Sequence, residues 1–227
     1  MTIKEKLSNL VRLPKQTKEG YNVLLYSVRD TDYTKLVFSD AVKAFCMYND
    51  CVLSEDGLSE GYVVIFDMKG VALGHLARVS LPALKAFMVY IQEAHPARLK
   101  LIHVLNTPNF INHVMRIVLP LVKSELLSMV KFHKGRVPDG FPVELMPLEY
   151  GGAAPSIEVL DATTKSMTHK YIDWLKDTEK FRVDESKRPK KPSWWSIFGS
   201  TTTTQQSQNE LTIEQQKENF FKNLQID

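Results

Sequence analysis

Residues 99–132 place the tightest constraint on what this chain can fold into. Positions 99–105 read LKLIHVL, alternating and then running apolar, and stop at Asn106-Thr107-Pro108, as a buried strand ends in a loop. From Phe110 the spacing turns helical, with polar residues at Asn112, His113, Arg116, Lys123, Ser124, Ser128 and Lys131. The apolar remainder (Phe110, Ile111, Val114, Met115, Ile117, Val118, Leu119, Leu121, Val122) is wider than the stripe of about 100° that a helix lying on a core presents. Pro120 removes the hydrogen bond to the Arg116 carbonyl and hinges the run. Two readings fit this stretch: an ordinary buried helix with a kink, or a lid over something apolar.

The segments around it alternate in type. YNVLLYSV (21–28) has strand character, and YVVIF (62–66) is continuously apolar, as a parallel strand buried on both faces is. Ser39-Asp40 is placed to cap a helix running to about Leu53. Helical spacing also marks residues 73–78 and 81–94, the second with Pro82 in its first turn. Residues 142–146 read as a last short strand, and 164–181 as a further helix with Met167, Tyr171, Trp174 and Leu175 on one side. Strand, helix, strand, helices, strand, helix, strand requires crossovers, so residues 21–181 predict one α/β domain on a mostly parallel sheet. Residues 1–20 read as a short basic leader, and 182–227 as a tail containing the low-complexity STTTTQQSQN.

Several functional classes find no support. A net charge of +3 over 227 residues predicts no nucleic-acid partner. The start lacks a signal peptide's apolar core, and no run reaches the roughly 18 uncharged apolar residues of a spanning helix. Cys46 and Cys51 are the only cysteines and fit no disulfide or metal framework. A cytoplasmic protein with reduced thiols is the expectation. The six histidines form no HExxH and no cluster at metal spacing, so no metal and no cofactor are assigned. Gly57-Leu58-Ser59-Glu60-Gly61 has the letters of a nucleophile elbow, but a loop precedes Ser59 and a strand follows Gly61, the reverse of what the elbow needs. Asp67 ends a strand, a common place for a catalytic carboxylate, yet no phosphate-cradling glycine loop follows. His103 lies inside a buried strand, as a core histidine bonded to a neighbour does. No catalytic residue is assigned, and the chain is not expected to be an enzyme.

The tail offers a different chemistry. Lys187, Arg188, Lys190 and Lys191 stand directly before Trp194, Trp195 and Phe198. Cations attract anionic headgroups at about 1 kcal/mol each, and indoles favour the interfacial zone, so the segment suits a membrane surface. A solvated linker whose tryptophans pack back on the domain is the competing reading.

At 146–152 the sequence is MPLEYGG. Together with Ile65-Phe66-Asp67 before Gly70, and His103-Val104-Leu105-Asn106 before Pro108 and Phe110, it resembles the CRAL-TRIO (Sec14-like) lipid-binding family. Order and spacing are similar to the branch of tocopherol and retinaldehyde carriers, over about residues 21–181. The closing FFKNLQID looks like the tail of many insect members. The resemblance implies a lipid cage: a sheet floor, helical walls, and the helix after HVLN as a mobile gate, which favours the lid reading above. It implies a pocket lined by Val42, Phe45, Cys46, Tyr62, Phe66, Val79, Phe87, Tyr90, Ile91 and Leu99, closed by Phe110, Val114 and Val118. Asn49 and Tyr62 or Tyr90 are the polar candidates for orienting a hydroxyl or aldehyde.

The implied function is non-enzymatic binding and transfer of a tocopherol-, retinoid- or carotenoid-like molecule by a monomer that docks on membranes. Phospholipid or phosphoinositide exchange, and a recruitment module with a vestigial cage, are the alternatives. Two departures from the family pattern bear on this. Only about twenty residues precede the first strand, where the family has a helical region. Of the basic patch that engages phosphoinositides, Arg98 and Lys100 match, but the gate-helix positions fall on Glu125 and Met129. Lys123 and Lys131 lie near, and the cluster at 187–191 is a possible substitute.

Overall fold

The computed structural model describes residues 7–187. The chain divides into two compact units, Met1–Ile172 and Asp173–Asp227.

The first unit is built on strands β1 (Ser8–Arg12), β2 (Asn22–Val28), β3 (Tyr62–Asp67), β4 (Leu99–Leu105) and β5 (Val130–Phe132), in that order across one sheet. β1 pairs antiparallel with β2, and every other neighbour is parallel. The chain is therefore α/β on a mostly parallel sheet, as its alternation of patterns predicts. Between strands run α1 (Phe38–Asp56), α2 (Leu73–Leu76), α3 (Leu81–Glu93), α4 (Ile111–Val118) and α5 (Ser124–Ser128). After β5 come α6 (Ile157–Lys170) and α7 (Ile172–Asp177).

The connections decide where the helices go. Three successive parallel crossovers step the same way, β2 to β3 to β4 to β5, and such crossovers are right-handed, so α1, α3 and α4 fall on one face of the sheet. The other face is left to the segment after β5 and to α6. There Val11, Val23, Leu25, Val63, Ile65 and Leu105 pack against Met146, Tyr150 and Leu160, and most of this cluster is wholly buried. On the first face, Leu24, Tyr26 and Tyr62 meet Tyr48 and Val52 of α1, with Phe45, Val64 and Phe66 only partly buried.

Some expectations need correction. Residues 8–12, read as leader, form the sheet's edge strand. Leu10 and Val11 take opposite faces, and α6 is tied to this edge through Asp161, which pairs with Arg29 while Arg29 Nε donates to Asn9 Oδ1 at 2.8 Å. The first residue of α1 is Phe38, and Val37 precedes it with no side-chain cap; Ser39 and Asp40 lie inside the first turn. Residues 143–145 make a 3₁₀ turn between Pro142 and Pro147, with Leu145 N–H donating to Pro142 O at 3.0 Å, where a strand is expected. The last helix begins seven residues earlier than predicted, at Ile157 under a Ser156 cap, and breaks at Tyr171.

Pro120 acts as expected. α4 ends at Val118, residues Leu119–Leu121 tighten into a 3₁₀ turn, and the chain turns away before α5 and the three-residue β5. In the second unit, Lys176 pairs with Asp173, Lys180 with Asp177 and Lys187 with Asp184. Arg188, Lys190, Lys191, Trp194, Trp195 and FFKNLQID lie outside the described residues.

Candidate functional site

The three sequence motifs meet at one carboxylate. Asp67, at the end of β3, accepts from Asn106 Nδ2 at 2.7 Å on one oxygen and from the Tyr150 hydroxyl at 2.7 Å on the other. Asn106 ends β4's run and sits in the left-handed region at φ +48°, which asparagine tolerates better than most residues. Burial and the Asp67 carboxylate both push the Tyr150 hydroxyl well above the usual tyrosine range. Gly152 completes the motif by necessity: a Cβ there would stand 1.9 Å from the Met146 carbonyl oxygen. Asp67 is thus an anchor for the loop that leads into α4, with no reacting role required of it. Thr107 adds a second anchor, its hydroxyl lying 3.2 Å from Val104 O and 3.0 Å from His133 O. His133 Nε2 is 2.9 Å from His103 Nδ1, which places His103 as the bonded core histidine expected, and burial pushes His103 down to about 4.

The far end of α4 is held as well. Gln92, near the end of α3, donates to Leu121 O at 3.0 Å and accepts from Lys123 N–H at 2.7 Å, and Lys123 pairs with Glu93. With the 3₁₀ turn, α4 covers about 18 Å, against roughly 23 Å for β4. It is a helix pinned at two ends, and between them Ile111, Met115 and Leu119 are buried.

Beside its first turn lies a cavity of about 270 Å³. It opens outside the carboxyl ends of the parallel strands, where α/β sheets commonly bind ligands. Val28 closes β2, Met68 follows β3, Phe38 and Ala41 come from α1, Leu76 and Val79 from the α2 region, and Phe110 and Val114 from the start of α4. Leu7, Ser8, Asp30, Asp32, Leu36, Val71 and His75 complete the wall.

Of the positions singled out in sequence, Val79, Phe110 and Val114 line this cavity. Of the rest, Tyr62, Phe45 and Phe66 belong to the cluster on the helix-covered face of the sheet. Phe45 lies 4.9 Å from Tyr26 with its ring tilted by 45° and stands edge-on to Phe87 at 5.2 Å, and Tyr26 stacks on Phe66 at 5.2 Å. Val42, Cys46, Tyr90, Ile91, Leu99 and Val118 are half-buried. Burial raises the Cys46 thiol to about 11, and burial with nearby Asp50 and Cys46 raises Tyr90 to about 12. Two of the polar candidates are occupied. Asn49 accepts from the Tyr26 hydroxyl at 2.9 Å and donates to Phe45 O at 2.7 Å. Tyr62 donates its hydroxyl to Asp56 at 2.9 Å, inside a knot that holds Arg12 and Asn22. Ser59 belongs to the same knot, accepting from Asn22 at 3.1 Å. Missed in sequence were Ser8, Asp30, Asp32 and His75, though the rule of strand carboxyl ends points at Asp30 directly.

The basic residues divide similarly. Lys100 lies across Gly61 with its ammonium 5.3 Å from the Tyr21 ring, while Arg98 is exposed. Both stand at the amino end of β4, the end of the sheet away from the cavity. Lys123 and Lys187 each face a carboxylate, Glu93 and Asp184. Among the described residues no group of histidine, cysteine or acidic side chains is placed to hold a metal, and no helix is long and apolar enough to cross a membrane.

The family profile of the CRAL/TRIO domain matches residues 8–152, well over half of the chain. The chain belongs to the CRAL/TRIO domain family. The matched span begins at β1 and closes on Gly152, so it contains every strand of the sheet and α1–α5. Among curated relatives, human clavesin-2 is 22% identical over 176 residues, covering 76% of this chain and 53% of that protein. The human protein named alpha-tocopherol transfer protein-like is 26% identical over 110 residues, covering 47% of this chain and 32% of that one. The chain thus spans about half, or less, of the length of these relatives. The crystal structure of Sfh5 aligns at a TM-score of 0.37 and 14% identity, over 56% of this chain and 47% of that one.

Proposed function

We propose that this CRAL/TRIO chain binds a hydrophobic small molecule, isoprenoid- or polyene-like, between the sheet and α1, α3 and α4, and passes it between membranes without chemical change. The observation that carries this reading is the cavity at the strands' carboxyl ends, roofed by Phe110 and Val114 of a helix that is fastened at its two ends and sparsely buried between them. At 270 Å³ it is slightly below the roughly 300–1,000 Å³ of drug-sized ligand sites. A long ligand therefore requires α4 to move outward and the Phe45, Phe66 and Phe87 rings to yield, which extends the site along the half-buried face. Each apolar Å² removed from water there contributes about 25 cal/mol. Exposed Arg98, and the cations and tryptophans of 187–195, supply the membrane contact in this reading. Native mass spectrometry of the protein from its own source, with identification of what extracts into organic solvent, tests it. A stoichiometric apolar molecule is expected; an empty protein that also takes up none from a lipid panel would contradict it.

A further inference from the structure

Two buried histidines take no part in the cavity: His103 on β4 and His133 just beyond β5, each less than a tenth exposed. Their rings meet through His103 Nδ1 and His133 Nε2 at 2.9 Å. The second nitrogen of His133, Nδ1, faces Asp139 twice. The Asp139 N–H donates to it at 3.3 Å, and the Asp139 carboxylate, almost wholly exposed, stands 3.1 Å away. An N–H aimed at Nδ1 makes that nitrogen the acceptor of a neutral ring, so Nε2–H donates to His103 Nδ1, and the proton of His103 sits on Nε2. The other groups facing His103 are Lys131, beside it on β5, Ile65, beside it on β3, and the Phe141 ring, edge-on at 5.9 Å.

This chain of bonds accommodates one added proton and not two. With one, an acceptor nitrogen remains between the rings, and His133 Nδ1 exchanges the Asp139 N–H for the Asp139 carboxylate. With two, N–H groups oppose each other at the contact and the rings must part. What the pair holds is the entry to α4. His133 N–H donates to Val104 O at 2.8 Å, and its carbonyl accepts from Thr107 N–H at 3.1 Å and from the Thr107 hydroxyl at 3.0 Å. Gly135 O accepts from Asn106 N–H at 3.0 Å. Residues 133–135 are thus a splint along 104–107, and Phe110 follows three residues on. Ring and splint belong to one residue, so parting the rings draws His133 away from Thr107.

We propose that the His103–His133 pair is an acid-operated latch: when both rings are charged, the splint at 133–135 leaves Thr107 and the start of α4 comes away, while β2 to β4 stay paired. The sign follows from burial, which with His133 and Lys131 close by holds His103 down to about 4 in the closed form. The open form binds protons more readily, so falling pH favours opening. The latch acts whether or not α4 covers a ligand. Where α4 roofs one, as proposed above, acid is the signal for its release, and that consequence alone rests on the carrier reading.

The experiment is hydrogen exchange on the full chain without added lipid at pH 7 and pH 5, corrected for the intrinsic pH dependence of exchange. Opening of residues 107–115 should rise roughly twentyfold at pH 5, with residues 62–67 remaining the better protected. The double variant His103→Asn/His133→Gln keeps an acceptor and a donor where the two rings meet and titrates at neither, so its rise should stay below about twofold. His133→Gln alone should already reduce the rise, because the amide can turn its oxygen toward a charged His103. No rise at 107–115 in the unaltered chain would overturn the proposal, as would the same rise in the double variant. Equal protection at 107–115 and 62–67 at pH 5 would show global unfolding in place of a latch, and would overturn it too.

Discussion

The two faces of the sheet are covered differently. Beneath the Leu25–Ile65 face, the segment after β5 and α6 leave Leu25, Ile65, Leu105 and Met146 with no exposure. On the Tyr26–Phe66 face, α1 is buried only in its second half, at Tyr48, Asn49, Cys51 and Val52. α3, apolar at most positions, buries only Leu84 and leaves Leu81 and Val89 more than half exposed. One face is a finished core and the other is unfinished, although its side chains are equally apolar. The lesson is that buried apolar surface, and the stability it contributes, is concentrated on one side of the sheet.

This contrast can be broken by mutation. Gly152→Ala forces a methyl onto the Met146 carbonyl in the finished face and should cost more than about 3 kcal/mol, read as a lower urea midpoint or as failure to fold. Ile65→Ala, on the same face, should cost about 3–4 kcal/mol, whereas Phe66→Ala, its neighbour on the open face, should cost less than half of that despite the larger side chain. Equal losses would show the faces to be equally packed.

Acid should act on the finished face as well. His103 titrates in the unfolded chain near 6.5 and in the fold near 4, so the unfolded state binds more protons between these values. Its contribution is complete above about pH 6.5 and is lost as pH falls toward 4, on the order of 3 kcal/mol in all. The urea midpoint at pH 7 and pH 5 measures this, and His103→Asn should flatten the dependence. The smallest effect is expected at the far end of α4. Gln92→Ala removes two bonds to 121–123 and should cost about 1 kcal/mol while raising hydrogen exchange in α4.

How much of this was legible in the sequence follows the same division. YVVIF announced β3 because a strand buried on both faces needs an unbroken apolar run, and LKLIHVL announced β4 by alternating and then running apolar up to the Asn106-Thr107-Pro108 stop. β1 was not legible, since an edge strand of five residues needs only Leu10 and Val11 and is otherwise polar, and β5 is shorter still. The Pro120 hinge was plain because proline's missing N–H acts locally. The bond from Tyr150 to Asp67 spans 83 residues, and no local pattern encodes it. At the site, Val79, Phe110 and Val114 were reachable through the resemblance. Asn49 and Tyr62 stood out as polar groups in an apolar setting, and their partners Tyr26 and Asp56 came into view only with the fold.

Hydrogen exchange with and without a saturating lipid extract tests the central claim most directly. If the unfinished face holds the ligand, protection should rise in residues 110–123 and 38–46 and stay unchanged in 146–160. Protection gained at 146–160, or none at α4, would contradict the account.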